Sequence, residues 1–181
     1  GAKVINMSFG KSFSPYRHWV FDAIKYAEEK DVLLVHAAGN DHKNIDVSDN
    51  WPNDSMDKIN EIADNVLTIG AMSVNYDENL PATFTNYGQK NVDVFGPGVQ
   101  IYSAIPKHEY AKYSGTSMAA PGVTGSATLV RSCYPRLSAS QVKHIIMNSG
   151  VKIDLEVLMP GTKDEKVGYT GLSITGIVVN E

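Results

Sequence analysis

The sequence predicts an α/β fold with about four parallel strands, flanking helices and one β-hairpin. Three observations carry this. The first 35 residues run strand, helix, strand, the pattern of a βαβ unit. Two runs, VQIYSAI and EYAKYSG, flank Pro106-Lys107 as the arms of a hairpin would. Three polar, glycine-bearing segments follow strands or open a helix: Ser8-Phe9-Gly10, Ala37-Ala38-Gly39-Asn40 and Gly115-Thr116-Ser117. In open parallel sheets ligands bind beyond the carboxyl ends of the strands, so these segments are expected on one rim.

Each element has its own justification. Lys3–Phe9 (KVINMSF) is mostly apolar and enters a polar turn at Gly10-Lys11-Ser12, as a strand does. Ser14 followed by Pro15 predicts a helix start, a capping hydroxyl before a residue with no backbone donor. Val20, Ala23, Ile24 and Ala27 then follow helical spacing, and Glu28-Glu29-Lys30 form the solvated end. Val32–Val35 is a second strand. Residues 41–65 are dense in Asp, Asn and Ser and predict a long surface loop with one short helix near Met56–Ala63. Val66–Met72 is a third strand, and Val92–Phe95 a fourth, stopped by Gly96-Pro97-Gly98. A helix follows from about Ser117 to Cys133, with Pro121 in its first turn, where a missing donor costs little. Ser138 and Gln141 fit a capping box, Val142, Ile145 and Ile146 share a face, and Gly150 is the stop.

Composition narrows the function. With 181 residues, 43% apolar and 20% charged, the chain suits one soluble domain or a large piece of one. A net charge of -4 and the lack of a basic stripe argue against nucleic-acid binding. No apolar run is long enough to span a bilayer. Cys133 is the only cysteine, which excludes an internal disulfide, and reads as a small core residue. Asp46, Asp49, Asp54 and Asp57 are oxygen ligands of the kind calcium takes. Their spacing fits no fixed ligand pattern, so a solvated loop is the simpler reading and no metal ligand is assigned.

Two residues carry candidate chemistry. A serine opening a helix is usually only a cap. Around Ser117, however, Gly115 permits a tight turn and Ala119 and Ala120 leave room beside the hydroxyl. A helix N-terminus also favours developing negative charge. The pattern is not G-x-S-x-G, because Ala119 stands two residues after Ser117. Asn40 after Gly39 is commonly a turn former. Alternatively its carboxamide is a donor for an oxyanion, one that never titrates.

The ordered set VINMSFG, VLLVHAAGN, VLTIGAMS, VDVFGPGVQIYSAIP and YAKYSGTSMAAPG resembles the subtilisin-like serine peptidases (subtilases) over about residues 3–150. The resemblance implies a partial three-layer subtilisin-like fold, with residues 1–181 as the C-terminal portion of a catalytic domain. It makes Ser117 the nucleophile, with the Asn40 side chain and the Ser117 N–H as oxyanion donors. Ser8, Phe9 and Gly10 would lie along the substrate backbone as an added strand. Ala37, Ala38 and Gly39 would wall the pocket for the residue before the scissile bond, with Thr116 also against the substrate. It implies a polypeptide substrate, no required cofactor with calcium as an option, and a secreted, periplasmic or cell-surface setting.

Two departures stand out. Gly122 occupies a position where many members have histidine outside the triad. More important, the family's aspartate (Asp-Ser/Thr-Gly) and histidine (HGT) strings do not occur. Of His18, His36, His42, His108 and His144, none has the surroundings of the family's base; His42, just past Asn40, comes nearest to a stand-in by position. The base is therefore expected upstream, on a missing N-terminal part of the domain. The first strand would then be an open apolar edge prone to self-association, unless Ile174–Val179 of the tail cover it. A second reading is a non-catalytic pseudopeptidase or peptide-binding module; the retained Ser117 and Asn40 favour the enzyme.

Overall fold

The computed structural model describes residues 1–168 and the backbone of residues 176–177. Five parallel strands form its main sheet in the order β1 (Val4–Met7), β2 (Leu33–Ala37), β3 (Val66–Met72), β4 (Val94–Pro97) and β9 (Gly176–Ile177). The fifth strand goes beyond the four predicted. It pairs with β4, Val94 against Gly176, and so lies at the edge opposite β1. The tail backbone therefore does not cover β1 there; the rest of Ile174–Val179 lies outside the described residues.

Side-chain alternation sorts the sheet into faces. Leu33, Val35, Ala37, Leu67, Ile69 and Ala71 point to α2 (Thr116–Cys133), where Ala119, Ala120, Val123 and Ala127 meet them. Leu34 and Val66 point the other way, to Ile24 of α1 (Arg17–Glu29). Helices thus lie on both faces, giving three layers. Every residue of β2 and β3 is buried, which is why these strands read as near-continuous apolar runs. The hairpin is β5 (Ile101–Ile105) with β6 (Glu109–Tyr113), as predicted. Helix α3 (Ala139–Ser149) carries the predicted capping box, Ser138 accepting from Gln141 N–H and Gln141 from Ser138 N–H. A second antiparallel pair, β7 (Glu156–Leu158) with β8 (Lys166–Gly168), was not predicted.

Five local expectations are corrected. Helix α1 begins at Arg17, after a turn through Pro15 and Tyr16, and Ser14 is buried rather than capping it. No helix forms over Met56–Ala63. There the Asp57 carboxylate accepts the N–H groups of Ile59 (2.9 Å) and Asn60 (2.8 Å), a local side-chain turn that competes with a helix. Strand β4 continues through Gly96 and Pro97 instead of stopping before them. Gly96 matters for packing: a Cβ there would meet Val123 Cγ2 at 3.2 Å, so glycine lets α2 close on the strand. Pro121 is the sixth residue of α2 and lies in its second turn. Cys133 is exposed at the end of α2, not in the core.

Under the loop lies a buried charge cluster. Lys143 of α3 is 1% exposed; its ammonium meets Glu61 and, at 3.3 Å, Asp64. Asp93 accepts from Thr68 N–H at 2.6 Å. Burial, then the neighbouring Asp93 and Glu61 charges, push Asp54 up to about 7. Burial likewise pushes Asp93 up to about 6. A carboxyl whose folded pKa is raised keeps a proton that the unfolded chain has already released. Stability from such groups is present at low pH and is lost as pH rises through the folded value. Thermal melts from pH 5 to pH 8 are thus expected to show less loss for Asp54→Asn than for wild type. The difference at pH 8 is on the order of 3 kcal/mol. Parallel slopes for the two proteins would contradict this.

Candidate active site

The three rim segments do meet. Ser117 is the second residue of α2, one turn of chain from β6, and its hydroxyl donates to the Ser8 carbonyl at 3.2 Å. The Ser8 hydroxyl in turn donates to the Ser117 carbonyl at 2.9 Å. Pro121 explains the second bond. Residue 121 would ordinarily donate its N–H to the carbonyl of residue 117, and proline has none. Ser8 supplies the missing donor, so the helix start is tied to the end of β1. The same start is held from the other side by Gly115 N–H to the Gly98 carbonyl, 2.8 Å. A Cβ on Gly98 would lie 2.9 Å from the Gly115 oxygen, which fixes glycine at this crossing.

Asn40 follows β2 through Gly39, whose φ of 103° favours glycine. The Asn40 Oδ1 accepts Thr116 N–H at 2.9 Å and the Thr116 hydroxyl at 3.0 Å. An N–H can only donate, so the oxygen is the atom facing Thr116. The Nδ2 is left on the other side, 3.5 Å from where a Gly115 Cβ would stand. Thr116 closes the loop by accepting Gly39 N–H at 3.1 Å. Thr116, expected against the substrate, is among the residues lining the cleft; its side chain is buried and its hydroxyl positions Asn40 and Gly39.

A cleft of about 390 Å³ opens here, lined by Phe9, Gly10, Ala37, Gly39, Asn40 and Ser117 among others. That volume lies within the range of ordinary small-ligand sites. Ala38, expected in the wall, is buried behind it; its carbonyl accepts the amides of Asn50 (3.0 Å) and Asn86 (2.8 Å). Sequence reasoning missed Asn86, whose Oδ1 also takes the N–H groups of Asp41 and Lys43 at 3.0 Å. It is 1% exposed, and the only hint was a polar pair, Thr85-Asn86, between apolar runs.

None of the five histidines hydrogen-bonds Ser117. His36 lies below the site with Nε2 donating to the Phe9 carbonyl at 3.1 Å; burial pushes it down to about 4, so it is neutral. His42, the stand-in by position, turns its Nδ1 to the Thr83 carbonyl. His144 pairs with Asp64 at 3.0 Å, His18 packs on Trp19, and His108 sits in the hairpin turn. The loop carboxylates do not converge either. Asp46 accepts Asn91 N–H, Asp49 pairs with Arg17, Asp54 is buried by Asp93, and Asp57 shapes its own turn. Among the described residues no group of three or more His, Cys, Asp or Glu is placed to hold a metal ion.

A small-residue helix start, a hydroxyl at its second position and a clamped carboxamide on an adjoining strand end form a specific geometry. The family model for the subtilase family matches residues 1–172. The chain belongs to the subtilase family. This subtilase is 34% identical over 155 residues to Subtilisin DY of Bacillus licheniformis, covering 84% of this chain and 51% of that protein. It is 34% identical over 158 residues to Subtilisin-like protease 2 of Plasmodium falciparum (isolate 3D7), covering 84% of this chain and 11% of that one. A solved protease structure from Pseudoalteromonas arctica PAMC 21717 superposes with a TM-score of 0.73 at 26% identity, over 98% of this chain and 49% of that chain. The subtilase thus spans about half or less of the length of these relatives. No helix among the described residues is long and apolar enough to cross a membrane.

Proposed function

We propose that this chain is the serine-bearing, C-terminal portion of a subtilase catalytic domain, and that the full protein is a serine endopeptidase. Ser117 Oγ attacks the scissile carbonyl and forms the acyl-enzyme. Asn40 Nδ2 and the Ser117 N–H receive the oxyanion, and Ser8–Gly10 align the substrate backbone. The single observation that supports this most is the clamp on Asn40: with Oδ1 fixed by Thr116, the amide nitrogen is presented to the cleft that holds Ser117. A rigid donor costs no reorganisation when charge develops, which is what an oxyanion site requires. The general base and its orienting carboxylate come from residues outside this sequence. The substrate is a polypeptide, and membership of the family supports a secreted, periplasmic or cell-surface setting. Expression of the full-length protein tests the reading: casein or a peptide library is cleaved, and Ser117→Ala abolishes cleavage. Intact substrate with a full-length protein bearing an upstream Asp and His would overturn it.

The β1 edge, which no other described strand pairs, suggests a second expected result. An apolar groove of about 560 Å³ runs beside β1, lined by Ile5, Met7, Trp19, Val20, Ala23 and Leu34 among others. Exposed edges and contiguous apolar surface drive association. The 181-residue chain is expected to form dimers or larger species in light scattering after size exclusion, and the upstream half added in trans should compete. A monomer at high concentration would count against this.

A further inference from the structure

We propose that His36 is a positioning residue: its ring anchors the Phe9 carbonyl and so holds Ser8–Gly10 in the shape that pairs with the substrate backbone. This deepens the peptidase reading of the cleft and rests on it. Strand β2 is otherwise apolar over Leu33–Ala37, yet His36 stands in it at 1% exposure. Burial pushes the imidazole down to about 4, so the ring is neutral and one nitrogen carries hydrogen. A carbonyl can only accept, so that nitrogen is Nε2, 3.1 Å from the Phe9 oxygen. Nδ1 is left as a bare acceptor, buried and without a hydrogen-bond partner among the described residues. An unmet buried acceptor costs stability, and a leucine or valine at this place would avoid that cost. What neither supplies is a donor for Phe9.

The need for that donor lies in the path of the chain. The parallel ladder between β1 and β2 ends at the pair Met7 and His36, so Ser8–Gly10 runs on without it. The Ser8 carbonyl accepts the Ser117 hydroxyl at 3.2 Å, the Phe9 carbonyl accepts from His36, and Lys11 exchanges backbone hydrogen bonds with Trp51 at 2.9 and 2.8 Å. In the reaction the Ser117 hydroxyl gives its proton to the base and releases the Ser8 carbonyl. The Phe9 tether is the next one along the chain. Without it the span from Ser8 to Lys11 loses its middle hold beside Gly10, the residue with the widest backbone freedom. A Cβ on Gly10 would lie 2.9 Å from the Trp51 oxygen and 3.4 Å from His36 Nε2, so glycine lets the segment settle onto the ring. An added substrate strand needs an extended partner, and adjacent carbonyls of an extended segment point to opposite sides. With the Phe9 carbonyl turned to His36, those of Ser8 and Gly10 are left to the substrate.

The test uses the full-length protein and two p-nitroanilide substrates with the same residue before the scissile bond. One is blocked directly at that residue; the other is extended by three more residues and so runs along Phe9 and Gly10. His36→Leu is expected to lower kcat/KM for the extended substrate about tenfold, in keeping with one lost hydrogen bond, and to leave the short one within about twofold. His36→Gln, whose amide nitrogen reaches the place of Nε2, should restore the extended substrate to near the wild-type rate. His36→Asn, one carbon shorter, should not. An equal loss on both substrates would mean general damage and overturn the inference, as would an unchanged kcat/KM on the extended one; peptidase activity stands in either case. If His36→Leu does not fold, the other two variants decide, and equal values for Gln and Asn reject the inference. If the wild type cleaves neither substrate, the peptidase reading fails. Calorimetric titration of an extended peptide into Ser117→Ala, with and without His36→Leu, then decides the inference: weaker binding with His36→Leu upholds it, and equal affinity rejects it.

Discussion

A fluorophosphonate probe is expected to leave Ser117 unlabelled in the 181-residue chain and to label it stoichiometrically in the full-length protein. The reason is local. A serine hydroxyl is protonated at neutral pH and becomes a nucleophile only when a base removes its proton. Here the hydroxyl proton goes to the Ser8 carbonyl, which cannot take it up, and no histidine of the chain hydrogen-bonds Ser117. The nearest buried imidazole, His36, has its Nε2–H committed to Phe9. Mass spectrometry of the tryptic peptide around Ser117 provides the measurement. Full labelling of the isolated chain would mean that one of its own histidines acts as base, and His42→Ala would then identify the nearest candidate. In the full-length protein Ser117→Ala should remove labelling altogether.

Asn40→Ala in the full-length protein is expected to lower kcat by about 10²–10³ while changing KM little, a magnitude that comes from subtilisin itself rather than from this geometry. The direction does follow from the geometry. The Asn40 amide is held by its oxygen and turned toward the cleft, so its donor gains most when the carbonyl oxygen becomes an anion. A companion change separates positioning from donation. Thr116→Val keeps the Thr116 N–H bond to Asn40 but removes the hydroxyl that also takes Gly39 N–H. It should cost about tenfold or more in kcat, in keeping with the two hydrogen bonds that the hydroxyl makes, to Asn40 and from Gly39. Steady-state kinetics on one peptide substrate checks both. An unchanged kcat with raised KM in Asn40→Ala would make Asn40 a binding residue.

The sequence by itself determined the order of the elements, because burial on both faces demands runs such as Leu33–Val35 and Val66–Met72, and these runs are visible without any partner. It also determined the capping box of α3, whose two bonds lie within four residues. It singled out Ser117 and Asn40 because each sits in a short string of small residues. Only the tertiary structure decided the rest. That the Thr116 hydroxyl positions Gly39 and Asn40 depends on residues about 76 positions away, brought beside it by the packing of α2 on β2. The carbonyl freed by Pro121 finds its donor in Ser8, 109 positions earlier. Asn50 and Asn86 look like loop residues in the sequence; they become part of the site because both amides reach one carbonyl, that of Ala38. Local patterns record local hydrogen bonds and burial, whereas a buried polar atom is satisfied by whatever group the fold brings beside it, and chain position carries no trace of that neighbour.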